Sequence, residues 1–154
     1  MLPTETLEDI ALASNCPRKA YQIAVDCNLA LAKKIEPFLT RTIDELSRDG
    51  ELKCLRLWGA SGFELEWTYY TMDLASGNGH VAVLDWWLNS GLECRWSDDA
   101  MYWASRNGHV AVLDWWLNGG LQLKWSDYAM YWASRSNHVA VRDWWRVNIE
   151  SIST

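Results

Sequence analysis

Apolar side chains recur at helical spacing in short segments of this chain, and glycine or asparagine residues separate the segments. This pattern predicts a helix over about 98–105 and a second helix over about 109–118. The apolar positions that define the two helical faces are Ala100, Met101, Ala104, Val110, Leu113, Trp116 and Leu117. Ser97 is placed to cap the first helix, while Asn107 and Gly108 tolerate the left-handed backbone of the turn that follows it. The segment therefore reads as a helix-turn-helix unit.

The same unit recurs every 29 residues. Residues 78–106 and 107–135 are identical at 24 of 29 positions, and weaker copies lie before and after them. A period of roughly 20–50 residues indicates stacked units that cannot bury their apolar faces alone. We therefore predict an all-α solenoid of helical repeats. Four units are expected within 37–150, at about 38–66, 67–95, 96–124 and 125–150.

A short motif gives the repeat a family resemblance. The segment Gly-His-Val-Ala-Val-Leu occurs at 79–84 and at 108–113, and a further glycine follows each copy. In this motif the unit resembles the ankyrin repeat, which carries Gly-His-Leu-x-Val-Val at the start of its second helix. The family's opening Thr-Pro-Leu-His is replaced by Asp-Ala-Met-Tyr or Tyr-Ala-Met-Tyr. The resemblance implies ankyrin-like helix-turn-helix repeats that bind proteins.

The repeat is also shorter than the family's unit of about 33 residues. The missing residues come from the segment between Gly91 and Asp99, where ankyrin repeats form a projecting β-hairpin finger. We therefore expect shortened β-finger loops, and contacts that depend more on the helices than on the fingers.

The 12 tryptophans fall mostly into columns of equivalent positions. The columns are Trp58, Trp87, Trp116 and Trp145; Trp67, Trp96 and Trp125; Trp86, Trp115 and Trp144; and Trp103 and Trp132. Helical spacing places the first column in the core. The column of Trp86, Trp115 and Trp144 has two open interpretations, because adjacent helix positions point about 100° apart. Its rings either pack between units or form an exposed aromatic ladder for a partner.

A histidine stands before each second helix, at His80, His109 and His138. Equivalent stacked helices lie about 8–10 Å apart, which is too far for one zinc ion to bind all three imidazoles. We therefore interpret the column as structural. No metal site, no cofactor and no catalytic constellation is predicted, and the chain is expected not to be an enzyme.

Both ends of the array are predicted to be capped. Residues 1–36 read as an N-terminal helical hairpin cap with an apolar stripe for the first unit. In the last unit, Arg142 and Arg146 replace the Leu113 and Leu117 of the preceding unit. These charges suit an outer face that no further unit covers.

Residues 2–10 carry a second, shorter resemblance. They read Leu-Pro-Thr-Glu-Thr-Leu-Glu-Asp-Ile and are similar to the opening of an F-box, Leu-Pro-x-Glu-x-Leu-x-x-Ile. The resemblance implies that residues 2–35 dock a ubiquitin-ligase adaptor while the repeats bind its substrate. A plain capping hairpin is the other interpretation of the same segment.

Composition and charge limit which classes of partner are expected. The formal net charge is −6 and no basic cluster occurs, so nucleic acid is not an expected partner. No apolar run is long enough to span a bilayer, and the acidic start does not resemble a secretory signal. The four cysteines lack metal-ligand spacing and are interpreted as reduced thiols of an intracellular protein, cytoplasmic or nuclear.

The predicted function is non-enzymatic binding of a protein partner through the helix face and short loops. The positions expected to contact it vary between units: Tyr70, Asp99 and Tyr128; Asp73, Tyr102 and Tyr131; and Glu66, Arg95 and Lys124. The last trio changes from acidic to basic along the array, which would orient a partner of opposite gradient. The alternative interpretation is that these positions are solvent-exposed and vary between units without binding a partner.

Overall fold

The computed structural model describes residues 41–59 and 67–152. Within these ranges the chain forms α1 (Ile43–Arg48), α2 (Leu52–Gly59), α3 (Tyr70–Gly77), α4 (Val81–Asn89), α5 (Asp99–Asn107), α6 (Val110–Asn118), α7 (Asp127–Arg135) and α8 (Val139–Ile152). No strand occurs in the described part of the chain. None of these helices, of which α8 is the longest, is long and apolar enough to cross a membrane.

The helices pack in two rows. The first helices of the units, α1, α3, α5 and α7, pack against one another in sequence order, and so do the second helices α2, α4, α6 and α8. Each first helix also packs against the second helix that follows it. The predicted all-α array of helix-turn-helix units is thus confirmed. The loops between α4 and α5 and between α6 and α7 contain no strand, in keeping with shortened fingers. The hairpin predicted over 1–36 lies outside the described residues.

The start of α5 differs by one residue from its prediction. Asp98 is the N-cap residue and makes no side-chain capping bond. The Ser97 hydroxyl nevertheless accepts a hydrogen bond from the Asp99 backbone N–H at 3.1 Å. Ser97 therefore still satisfies a donor of the first turn, which is the role that suits serine at a helix start.

The turn inside each of the first three units combines a left-handed glycine with a histidine of the next unit. Gly79 and Gly108 have φ values of 79° and 86°. A Cβ atom at Gly79 would lie 2.8 Å from Nδ1 of His109, and one at Gly108 would lie 2.7 Å from Nδ1 of His138. The histidines therefore pack over the turn of the preceding unit, which gives the predicted structural column its specific role.

The innermost tryptophan column forms a ladder with buried serines. Trp87, Trp116 and Trp145 are at most 3% exposed. The indole N–H donates to a serine hydroxyl in the first helix of the preceding unit, in the pairs Trp87–Ser47, Trp116–Ser76 and Trp145–Ser105, at 3.2, 2.9 and 2.8 Å. The column thus supplies apolar burial without leaving a polar N–H unsatisfied.

The other tryptophan of each Trp-Trp pair, which comes first in the sequence, also packs between units. Trp115 donates from Nε1 to the Asp85 carboxylate at 2.7 Å, and Trp144 donates to Asp114 at 2.6 Å. Trp86 and Trp115 are half-buried and Trp144 is buried. Of the two interpretations of this column, the structure shows packing between units rather than an exposed ladder.

At the C-terminal end, Arg142 occupies a position that inner units bury. Its equivalent Leu113 is completely buried, whereas Arg142 is exposed. Arg146, the second charged replacement, contributes less to the cap. Its equivalent two units earlier, Leu88, is already 37% exposed. That column is therefore not fully covered even inside the array, and Arg142 carries most of the capping role.

Cys54 and Cys94 are free thiols. Burial raises the pKa of each thiol above its ordinary value. Since the thiolate is the reactive form, these side chains behave as small packing groups. Cys16 and Cys27 lie outside the described residues.

Candidate interaction surface

Each first helix buries one face and exposes the other. In α5 the buried residues are Ala100, Met101, Ala104 and Ser105. The opposite face begins at Asp99. Three, four and seven residues after it come Tyr102, Trp103 and Arg106, which share that face. The equivalent faces of α3, α5 and α7 lie side by side, because these helices form one row.

Large aromatic side chains lie on this face. Tyr70 is 47% exposed, Trp103 39%, Tyr131 49% and Tyr128 70%. Tyr102 is half-buried. Large aromatics grouped on an exposed surface are typical of an interaction site, whereas single exposed apolar residues need no explanation.

Arg106 lies between two tryptophans of successive units. Its guanidinium carbon is 5.2 Å from the ring centroid of Trp103 and 5.1 Å from that of Trp132. Its Nη1 donates to the Tyr102 hydroxyl at 3.2 Å. The two rings and the hydroxyl therefore hold the cation in place on the surface.

Arg135 repeats part of this arrangement one unit further on. Its guanidinium carbon lies 5.4 Å from the Tyr131 ring centroid, and Nη1 donates to the Tyr131 hydroxyl at 3.1 Å. The ion pairs of the described residues include neither Arg106 nor Arg135. Both guanidinium groups use only a fraction of their five N–H donors on these tyrosines.

Asp73, which the sequence placed on the binding surface, is instead 2% exposed. Its Oδ1 accepts from the Ser97 backbone N–H at 3.0 Å and its Oδ2 from the Ser97 hydroxyl at 2.6 Å. Asp44 accepts from Thr68 in the same way one unit earlier, at 3.3 and 2.8 Å. The pattern stops at Tyr102, which has no carboxylate to offer Ser126. Asp73 thus ties two units together and is buried rather than exposed.

Burial also changes the acidity of Asp73. Desolvation raises the pKa of its carboxyl to about 6, against the opposing effect of the two hydrogen bonds from Ser97. The nearby charges of Asp99 and Asp98 raise the pKa further. A carboxyl with this pKa is ionised at neutral pH.

Of the predicted contact residues Glu66, Arg95 and Lys124, the last two lie in the described part of the chain and have a structural role. Arg95 lies 5.6 Å from the Trp67 ring centroid and pairs with Glu93 at 2.7 Å. Lys124 Nζ lies 4.4 Å from the Trp96 ring centroid and donates to the Trp96 carbonyl at 2.9 Å. Both cations therefore hold the loops of neighbouring units together. Glu66 lies outside the described residues, so the predicted charge gradient stays a prediction.

Of the nine predicted contact residues, the structure groups Tyr102 and Tyr131 with the two arginines. Tyr70 and Tyr128 lie on the same face of neighbouring first helices and are exposed. Asp99 is half-buried at the start of α5.

Sequence reasoning missed Trp103, Trp132, Arg106 and Arg135 as surface residues. The signal was available in α5, because Trp103 and Arg106 lie four and seven residues after Asp99 on the face opposite the small apolar residues. Trp103 and Trp132 repeat at equivalent positions, as the tryptophans that pack between units do. On sequence alone, this repetition therefore indicates packing residues rather than surface residues.

A surface cleft of about 210 Å³ opens beside these residues, between α3 and α5. Its lining consists of Asp73, Leu74, Gly77, Asn78, Trp103 and Asn107.

Comparison with family models matches residues 72–117 to the family described as ankyrin repeats (many copies). The match covers α4 and α5 fully and nearly all of α3 and α6. Comparison with curated proteins and with solved structures found no match. The F-box-like segment at 2–10 lies outside the described residues, and the family match does not support it. Together, the stacked helix-turn-helix units and this match show that the repeats within residues 72–117 are ankyrin repeats.

Proposed function

We propose that this chain is a non-enzymatic protein-binding module that holds its partner on the exposed face of α3, α5 and α7. The observation that supports this best is the cation-aromatic row formed by Trp103, Arg106 and Trp132. Ankyrin repeats generally mediate protein interactions, and this row supports the first-helix face as the surface that binds the partner.

The residue types on this face are those that contribute most to protein interfaces. Tryptophan, tyrosine and arginine are enriched among residues whose truncation costs the most binding free energy. Arg106 is already held by Trp103 and Tyr102, so binding would cost little side-chain entropy at this position. A carboxylate of the partner is the natural complement, because guanidinium binds carboxylates through two parallel hydrogen bonds.

The test begins with affinity capture and mass spectrometry to identify a partner, followed by binding measurements with purified proteins. Replacing Tyr128 and Tyr131 together by alanine should weaken binding about tenfold or more, since each is an exposed aromatic of the face. The matched control replaces Leu88 and Val147 by alanine, which are exposed on the second-helix row.

The control should bind like the unmodified chain, and both variants should keep its thermal unfolding midpoint. Equal affinity of the tyrosine variant and the control would contradict the surface assignment.

The ubiquitin-ligase adaptor remains a separate hypothesis that rests on residues 2–10. It requires co-purification with the F-box-binding adaptor, and that association should be lost when Leu2, Pro3 and Leu7 are replaced. Unchanged co-purification of that variant would contradict the F-box assignment. Both hypotheses assume the intracellular location predicted from the sequence. Imaging of a tagged chain in cells tests that location.

A further inference from the structure

One unit lacks the arginine that its neighbours carry on the first helix. The equivalent positions are Arg48, Gly77, Arg106 and Arg135. Gly77 ends α3, and the cleft of about 210 Å³ opens at this glycine. The second unit therefore has an open space where the third unit has a long cationic side chain.

The third unit shows what such a space can hold. There, Arg106 lies between Trp103 of its own unit and Trp132 of the next, with the Tyr102 hydroxyl as acceptor. Moving back by one repeat places Leu74 and Trp103 as the two walls and Asp73 at the position of the acceptor. All three residues line the cleft.

No side chain at position 77 can fill this space without displacing a wall. A Cβ atom on Gly77 would lie 2.9 Å from Cβ of Trp103, closer than such atoms approach in proteins. The close approach of α5 to α3 requires glycine here, so a cation in the cleft has to come from another molecule.

The polar groups of the cleft include several acceptors. Asn78 donates its side-chain N–H to the Leu74 carbonyl at 2.8 Å, and Asn107 donates to the Gly77 carbonyl at 2.6 Å. Each amide keeps its Oδ1 as an acceptor, and each Asp73 oxygen has a second lone pair beyond the bond from Ser97. A mostly apolar lining with an aromatic ring and a few acceptors suits a flat ligand that carries several donors and a positive charge.

We propose that this cleft binds an arginine side chain of the partner protein, with the guanidinium against Trp103 and its N–H groups directed at Asp73. The volume is sufficient, because an engineered cavity of about 150 Å³ admits benzene, which has more heavy atoms than a guanidinium. Arginine fits better than lysine, since its planar group stacks on an indole and presents a fork of donors. The inference rests on the proposed function, because the cleft adjoins the same helix face.

Charge favours the same ligand. The Asp73 carboxylate is ionised at neutral pH despite its burial, and Asp98 and Asp99 add negative charge at the start of α5. The whole chain carries a formal net charge of −6, which attracts a basic segment. These negative charges favour the arginine, against the opposing charge of Arg106, whose guanidinium carbon lies 5.2 Å from the Trp103 ring centroid.

The probe for this site is the tripeptide acetyl-Gly-Arg-Gly-amide, titrated into the isotopically labelled full chain and followed by NMR. We expect saturable shifts of the Trp103 indole N–H and of the Ser97 and Asn107 amides. The same peptide with citrulline in place of arginine should bind about tenfold more weakly, because it lacks the charge.

Two variants test the walls of the cleft, with a matched control. Trp103→Leu installs the residue that the second unit has in this column, Leu74, and should weaken the probe about fivefold. Asp73→Asn should weaken it about tenfold. Leu88→Ala changes an exposed apolar residue of the second-helix row, outside the cleft, and should leave the probe's affinity unchanged.

Absence of saturable shifts, equal binding of the citrulline peptide, or equal effects of Trp103→Leu and Leu88→Ala would each overturn the proposal. The peptide titration needs no natural partner. Its failure would therefore leave the partner-binding test of Tyr128 and Tyr131 intact, and a failure of that test would not affect the titration.

Discussion

A buried indole needs an acceptor for its N–H, and this chain supplies one from the neighbouring repeat. Trp116 is 1% exposed, and its N–H reaches the Ser76 hydroxyl, which is also buried. Leaving a buried donor without a partner costs more than the bond itself gains. The serine column is therefore as important to the core as the tryptophans that it serves.

We expect Ser76→Ala to lower the free energy of unfolding by about 1–3 kcal/mol, because it leaves the Trp116 N–H unsatisfied. In a Trp116→Phe background the same serine change should cost less than about 0.5 kcal/mol, since no donor is left behind. Urea unfolding of the four chains of this double-mutant cycle measures the coupling.

The terminal unit offers a control for this cycle. Ser134 occupies the same column, is exposed, and donates only to the Tyr131 carbonyl at 2.7 Å. Ser134→Ala should change stability by no more than about 0.5 kcal/mol. A cost as large as that of Ser76→Ala, or additive effects in the cycle, would show that the hydrogen bond is not the cause.

At the scale of the helices, the units are joined by turns as well as by faces. The glycine that follows each of α1, α3 and α5 adopts a left-handed backbone, and the histidine of the next unit covers it. The turn is therefore a contact surface between units, and glycine is needed there for two reasons at once.

Gly108→Ala should be strongly destabilising. Its φ of 86° costs about 1–2 kcal/mol for a residue with a Cβ atom, and the His138 ring lies 2.7 Å from that atom's position. We expect a total loss of about 2–4 kcal/mol in chemical unfolding, because displacing the ring adds a packing cost.

Gly120→Ala separates the two causes. Gly120 has a φ of 75° and nothing within 4 Å of an added Cβ atom, so only the backbone cost of about 1–2 kcal/mol applies. Replacing His138 by alanine should reduce the excess cost of Gly108→Ala. Equal losses for the two glycine variants would contradict the packing role of the histidine.

For the molecule as a whole, the array has to end without exposing the apolar face that inner units bury. Arg142 stands at that face, beside Val139, which is 55% exposed while its equivalents Val81 and Val110 are half-buried. A polar outer face on the terminal unit is a general requirement of repeat proteins.

We expect Arg142→Leu to increase self-association, because the leucine would join Val139 in an apolar patch shaped like an interface between repeats. Sedimentation velocity over a range of concentrations measures the change relative to the unmodified chain. Arg146→Leu is the control and should have a smaller effect, since its column leaves Leu88 37% exposed. The capping role of Arg142 would be refuted if the two variants associated equally.

Much of the array follows from the sequence. Period and apolar spacing predicted α5 and α6 to within two residues of their observed ends, because helical periodicity is a local property of the chain. The sequence also predicted burial of Trp87 and Trp116, since one column of each Trp-Trp pair has to face the core.

The surface could not be predicted as well. Asp73 varies between units as a contact residue would, yet it is buried because Ser97 lies against it. Trp103 repeats as a packing residue would, yet it is 39% exposed. Variation and repetition describe single positions, whereas burial depends on which unit lies beside the position.

The sequence by itself determined the helices, their repetition every 29 residues, and the ankyrin-repeat match over residues 72–117. Only the tertiary structure decided which cations are held by aromatic rings and which unit carries an open cleft at Gly77. The physical reason is distance along the chain. Helices arise from residues three or four positions apart, while Arg106, Trp132 and the walls of the cleft meet only when neighbouring repeats stack.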